Sequence, residues 1–523
     1  MSSKIDGKWL ALGAITSAAL VTTIIFNINR DTANGNKVER TISTDNGDLK
    51  INWDKYQTYD VALESTYTIT KSGVYHLTGE LKDGSVIVRV TDGEVKLILD
   101  NTTIINSSGP AIACYEADDL VIELVGKNTL MDGEKYSASL DEDVNGVVYS
   151  KADLTFNGSG SVTILANYQD GIVSKDDLKF NGGTYNITAS DDGIRGKDSV
   201  YVVDGNFTIS AGADGIKSTN EKTAGKGFVL IEKGTFKITA GAKGIKAINS
   251  ILIYDGDIAV TSKDDGIHSN SYIGIIGGNI TVSSGDDGIH ADKELIVDGG
   301  KTNIEKSYEG FEAKAITIND GEINILASDD GMNAGGGADS SANNRPGVGA
   351  FDADTSCTLT INGGKIYVNA AGDGLDSNGY LTFNGGEVVV DGPTNNGNGA
   401  LDAGAGITMN GGSVIAVGAS GMAESLGAGS STYNASIYLS SAKNADTTIE
   451  IKDADGNVII SHVAAKSFNH IAVGSDKFVL GETYTVYLNG AKYESFTINS
   501  IVTTVGTKNN SMNSNPGMRQ LNR

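Results

Sequence analysis

A right-handed, single-stranded parallel β-helix is the all-β fold class predicted for this chain of 523 residues, and three observations predict it. A motif of paired glycines, a short alternating apolar run and an Asp-Gly step recurs about every 22 residues. Each period has room for three short strands whose alternate apolar residues share one face. Beyond the N-terminus no stretch repeats its apolar residues at the helical period, so helices have no support there.

Composition agrees with a repeat of turns. The chain has 68 Gly but only 4 Pro, which excludes collagen and proline-rich linkers. Lys and Arg number 40 against 65 Asp and Glu, a net charge of −25. That balance excludes a nucleic-acid partner, which needs clustered bases for phosphates, and points to cation binding or solubility. Cys114 and Cys357 have no metal or redox spacing and are expected as isolated buried thiols.

The elements follow in chain order. Lys4 and Lys8 precede an uncharged run from Trp9 to Ile28, about the length of a membrane-spanning helix. Residues 1–30 are therefore expected as a hydrophobic helix, a signal peptide or membrane anchor, exporting the rest of the chain. Residues 31–59 read as a linker. Residues 60–430 read as the β-helix, with looser first coils or a cap up to about residue 145.

The repeat itself is explicit in NGGTYNITASDDGI (181–194), DGDIAVTSKDDGI (255–267) and GGNITVSSGDDGI (277–289). Its register glycines include Gly171, Gly193, Gly215, Gly244, Gly266, Gly288, Gly310, Gly331 and Gly374. One core column should run Ile172, Ile194, Ile216, Ile245, Ile267, Ile289, Phe311, Met332, Leu375, Leu401 and Met422. Another should run Ile187, Ile209, Ile238, Val260, Val282, Ile304, Ile325, Val368 and Val390. Residues 334–356 read as an inserted loop, 431–505 as a small antiparallel β module, and 506–523 as a disordered tail. Asn residues of the Asn-Gly-Gly turns are placed to hydrogen-bond from coil to coil.

The chemistry-bearing pattern is acidic. The residue before each register glycine reads Asp170, Asp192, Asp214, Lys243, Asp265, Asp287, Glu309, Asp330 and Asp373, with Asp191, Asp264, Asp286 and Asp329 one place earlier. Stacked carboxylates about 4.8 Å apart repel by about 3 kcal/mol at an effective dielectric of 20. Lys243 is the one Lys in that column, so a divalent cation is the expected compensation. Calcium takes oxygen ligands from adjacent coils readily. The candidate ligands are Asp191, Asp192, Asp214, Asp264, Asp265, Asp286, Asp287, Glu309, Asp329, Asp330 and Asp373, strongest among Asp264, Asp265, Asp286 and Asp287.

Two places after each glycine the sign changes along the axis. Arg195, Lys217 and Lys246 give way to His268 and His290, then to Glu312, Asp376 and Asp402. This column should face outward, and Arg195, Lys217, Lys246, His268 and His290 are candidate contacts for an anionic sugar chain. The histidines are too few for a metal cluster on sequence grounds.

The coil length, the DDGI steps and the loop NAGGGADSSANNRPGVGAF (333–351) resemble one family, the clostridial carbohydrate-binding β-helix proteins, which are pectate-lyase-like in shape. The resemblance covers roughly residues 50–505. It implies calcium at coil turns and binding of plant cell-wall polysaccharide, pectin or polygalacturonate or cellulose, without catalysis and outside the cell. Lys243 departs from the acidic pattern. Two other functions stay open: a calcium-dependent polysaccharide lyase whose base is Lys243, Arg195, Lys217 or Lys246, and a structural surface adhesin. No catalytic residue is assigned. The membrane is a partner only through residues 9–28.

Overall fold

The computed structural model describes residues 21–28, 38–45, 51–141, 143–335 and 353–508. From Thr58–Leu63 onward the chain winds as a right-handed parallel β-solenoid of about 15 turns. One coil holds the strands Ile194–Gly196, Ser199–Val202 and Asn206–Ala211. The next starts at Ile216–Ser218. The first two kinds of strand lie in one sheet, and the third kind forms a second.

Equivalent residues stack because the period returns each to the same place on the coil. Ile194 pairs with Ile216, Ile216 with Ile245, and Ile245 with Ile267. Ile209 pairs with Ile238 and Ile238 with Val260. Both expected columns are buried along the axis. Met422 is the exception. It is 43% exposed, because the regular coils stop before it. Columns the sequence reading did not name, among them Val200, Val229, Ile251, Ile273 and Leu295, also fill the interior.

The asparagine turns form the expected ladder. Asn362 donates to Asn319 (2.8 Å), Asn384 to Asn362 (2.8 Å) and Asn410 to Asn384 (3.0 Å). Beside them the second glycine of each turn is left-handed, with φ of 86° at Gly364 and 84° at Gly386. Asn384→Ala removes two of these exposed bonds. It should cost about 1 kcal/mol in urea unfolding, with no change in calcium response.

The C-terminal strands do not stand alone. Phe468–Ser475 pairs antiparallel with Ser413–Gly418 of the last coil and also with Asn434–Lys443. The solenoid's open edge is thereby covered. A separate four-stranded antiparallel sheet contains Thr448–Lys452, Val458–Val463, Thr483–Leu488 and Ala491–Thr497. At the other end, the expected hydrophobic helix falls partly on residues 9–20, outside the described residues. Its remainder, Val21–Ile28, is a strand paired antiparallel with Val38–Asp45. Among the described residues no helix is long and apolar enough to cross a membrane. Most of the inserted loop (336–352) and the tail from 509 also lie outside the described residues. Cys114 and Cys357 are buried and free.

Candidate cation ladder

The Asp-Gly steps sit where the third strand of one coil turns into the first strand of the next. Their aspartates have a structural task. Asp170 Oδ1 accepts the N–H of Asp192 (3.1 Å), Asp192 Oδ1 that of Asp214 (3.1 Å) and Asp214 Oδ1 that of Lys243 (3.0 Å). Asp265 Oδ1 accepts from Asp287, and Asp287 Oδ1 from Glu309, both at 3.1 Å. One oxygen of each of these acids thus ties coil to coil, and the other is left for a cation.

Which cation differs along the axis. In the first half it is supplied by the protein. Arg195 reaches Asp170 (2.5 Å), and Lys217 reaches both Asp192 (3.2 Å) and Asp214 (2.9 Å). Lys243 turns across to Asp264 (3.0 Å) and Asp265 (2.5 Å), and His268 Nδ1 meets the same Asp265 oxygen at 2.8 Å. Although Asp265 is buried, His268 and Lys243 hold its carboxyl well below the usual range. This corrects the expectation that the ladder lacks basic compensation. Arg195, Lys217 and His268 come from the neighbouring column and Lys243 from the acidic column itself, one coil earlier, so Asp264 and Asp265 already have their bases.

Lys243→Met would leave Asp265, which is fully buried, with His268 as its one remaining ion-pair partner among the described residues. Breaking a buried pair of this kind should cost about 3 kcal/mol, read as a lower denaturation midpoint in urea.

From Glu309 onward the bases stop. Burial holds Glu309 and Glu312 above the carboxylate range, and their mutual charge adds to the effect on Glu309. Burial, then the charges of Asp373, Asp329 and Asp402, push Asp330 up to about 7. Burial with Asp330, Asp373 and Asp402 pushes Asp376 to about 8. Burial raises Asp373 to about 6 against the Gly399 N–H it accepts, and burial with Asp402 raises Glu424 to about 7. His290 opposes the rise at Glu312 and Lys508 that at Glu424, but Asp330, Asp373 and Asp376 have no ion pair among the described residues, and buried carboxylates that repel one another favour either a proton or a metal ion.

The donor set fits a hard cation. Glu309 Oε2, Glu312 Oε2 and Asn333 Oδ1 are buried with no hydrogen-bond partner. Asp329 Oδ1 and Asp330 Oδ1 lie 2.4 and 2.3 Å from where a Cβ would stand on Gly372, so both carboxylates pack against that turn and only a glycine lets them come so close. Oxygen atoms from side chains of successive coils are what calcium takes. Several further groups of acids have ligand atoms within 4.8 Å of one another, including Asp170, Asp191 and Asp192, and Asp264, Asp265 and Asp286.

A family model described as carbohydrate-binding domain-containing protein matches residues 63–310 and, overlapping, 249–344, together more than half of the chain. The chain belongs to that carbohydrate-binding family. It is the pectate-lyase-like β-helix group whose pattern the sequence resembles. A carbohydrate-binding domain-containing protein of Acetivibrio thermocellus is 35% identical over 145 residues, 27% of this chain and 50% of the relative. The chain thus spans about half the length of that curated relative. A solved structure, a gadolinium derivative of the polysaccharide lyase-like protein from C. thermocellum, is 31% identical with a TM-score of 0.39. It covers 46% of this chain and 95% of its own.

In this chain of the carbohydrate-binding family the outward column is less free than its sequence suggests. Arg195, Lys217, His268 and His290 each meet one of the protein's own carboxylates, and the two histidines are buried. Lys246 has no ion pair among the described residues and is half-buried. Carboxylates raise the pKa of Lys217 and Lys243 against the opposing effect of burial. A base that takes an α-proton needs the reverse.

Sequence reasoning left Asp170, Glu312, Asp376, Asp402 and Glu424 out of the ligand set. All but Glu424 occupy the two periodic columns, so period alone could have included them. It also missed the acids of the next turn, where Asp153, Asp176 and Asp177 gather. Burial and the charges of Asp176 and Asp177 push Asp153 to about 8.

Proposed function

We propose that this chain binds an acidic cell-wall polysaccharide of the polygalacturonate class, without catalysis, through calcium held on the base-free half of the ladder. Asp329, Asp330, Asp373, Asp376 and Asp402 would hold the ion, with Glu309 at the boundary. Bound there, calcium supplies the positive charge that both the protein's carboxylates and a uronate require. The observation that carries this reading is the change from compensated to uncompensated acids at Glu309, in a chain of a carbohydrate-binding family. The Asp191, Asp192 and Asp214 turns keep a structural role, with Arg195 and Lys217 as their counter-ions. Lys246 remains the candidate basic contact for the sugar. Export through residues 9–28 and a location outside the cell belong to the same proposal, supported by Lys4, Lys8 and the apolar run behind them.

The test is retention on insoluble polygalacturonate and on cellulose, with calcium and with chelator. Retention on polygalacturonate that chelator abolishes is expected. Equal recovery with and without chelator removes calcium from the binding. Release of unsaturated sugar products would replace binding by lyase chemistry.

A further inference from the structure

The boundary between the two halves of the ladder contains a group of a different chemical kind. Asp287, His290 and Glu312 are 2%, 0% and 4% exposed. His290 Nδ1 lies 3.2 Å from Asp287 Oδ2 and 3.0 Å from Glu312 Oε2. An imidazole nitrogen carries at most one hydrogen, so it can satisfy one of these oxygens and not both. Asp287 is the partner in hydrogen-bonding geometry, and Glu312 Oε2 is left buried without one. A buried, unpaired carboxylate oxygen is costly.

The neighbouring coil shows what a satisfied version looks like. His268 Nδ1 meets Asp265 at 2.8 Å, and Lys243 meets the same oxygen at 2.5 Å. One carboxylate lies between two bases there, and no oxygen of it is orphaned. One coil on, the ratio is reversed, with two acids on one nitrogen.

We propose that Asp287 Oδ2, His290 Nδ1 and Glu312 Oε2 form a site for a borderline first-row dication of the Zn²⁺ class, separate in chemistry from the all-oxygen calcium positions. Zinc bonds of about 2.0–2.2 Å to nitrogen and oxygen place ligand atoms about 3.3 Å apart at a tetrahedral centre. The observed 3.0 and 3.2 Å separations are close to that. One ion would meet all three atoms where one proton cannot. The other face of the ring fits as well. His290 Nε2 is buried without a hydrogen bond, and Asp292 Oδ1 stands 3.5 Å away. A metal on Nδ1 keeps the hydrogen on Nε2, and a carboxylate there is the usual outer partner of a metal-bound histidine.

The experiment is titration of the full chain, stripped of metal and then kept in millimolar calcium, with ZnCl2 by calorimetry. One equivalent of Zn²⁺ should bind, unaffected by the calcium, and Co²⁺ in its place should show the visible bands of a four-coordinate ion. Glu312→Gln, which deletes an orphaned charge and should fold, is expected to weaken Zn²⁺ at least tenfold. His290→Gln should abolish the equivalent, and His268→Gln should keep it. Absence of calcium-resistant Zn²⁺ binding, or full binding by Glu312→Gln, overturns the site. Neither result depends on polysaccharide retention, so this inference and the calcium reading fail separately.

Discussion

Chelating divalent cations should destabilise this protein strongly at pH 8 and little at pH 5. In the metal-free chain Asp373, Glu424, Asp330 and Asp376 titrate near 6, 7, 7 and 8, all above ordinary carboxylates. Folded, they hold protons that the unfolded chain has already released. Their contribution to stability must then fall as pH rises from about 4 towards 8, and level off above that. Calcium acts in the opposite sense. It binds the ionised acids without competition at pH 8, whereas at pH 5 protons must leave first. At about 100 times its dissociation constant, each site adds roughly 2.7 kcal/mol. The melting temperature with calcium should therefore exceed that with chelator by a margin that grows with pH. Asp330→Asn sharpens the test, because its two effects have opposite signs. It should raise the metal-free melting temperature at pH 8 by removing a repelled charge, and shrink the calcium gain. Identical melting with and without chelator at pH 8 would remove the cation from this half of the ladder.

The fold was legible because its cause is periodic. Ile194 and Ile216 are 22 residues apart and directly paired, so counting finds the contact. The acids were legible as a column for the same reason. Their state of charge was not. Arg195 meets Asp170 from the following coil, and Lys217 bridges acids of two coils. Arg195, Lys217 and His268 lie in a different column, so reading the acidic column by itself hides them, and Lys243, within that column, looks like a gap when it is a counter-ion of Asp265. Burial was equally hidden. Strand parity places His290 on the outer side of its sheet, yet it is fully buried, held among Asp287, Asp292 and Glu312. The sign change along the outward column did carry the needed information. It marks where the protein's own bases run out.

Gly266→Ala should be strongly damaging for a single added methyl, and the reason is packing rather than backbone angle. Gly266 is not in the left-handed region. A Cβ there would lie 2.5 Å from the Gly288 carbonyl oxygen and 2.2 Å from Val282 Cγ1. Val282 can change rotamer only within a packed core. The carbonyl cannot retreat, because it accepts the Ile267 N–H (3.2 Å). The coils on either side repeat the arrangement: a Cβ on Gly244 would meet the Gly266 carbonyl, and one on Gly288 that of Gly310, each at 2.5 Å. Relief at one coil must push the next. Overpacking of this kind costs about 1–3 kcal/mol where neighbours can yield, so about 3 kcal/mol is expected here. Gly182→Ala is the control. Its nearest atom is the Gly158 carbonyl oxygen at 3.2 Å, and its change should stay within about 0.5 kcal/mol. Urea unfolding of both variants in calcium decides. If Gly266→Ala melts like Gly182→Ala, the coils slide apart more readily than their hydrogen-bonded stacking implies. The glycine would then owe its place to the Asp-Gly turn and not to the closeness of the next coil.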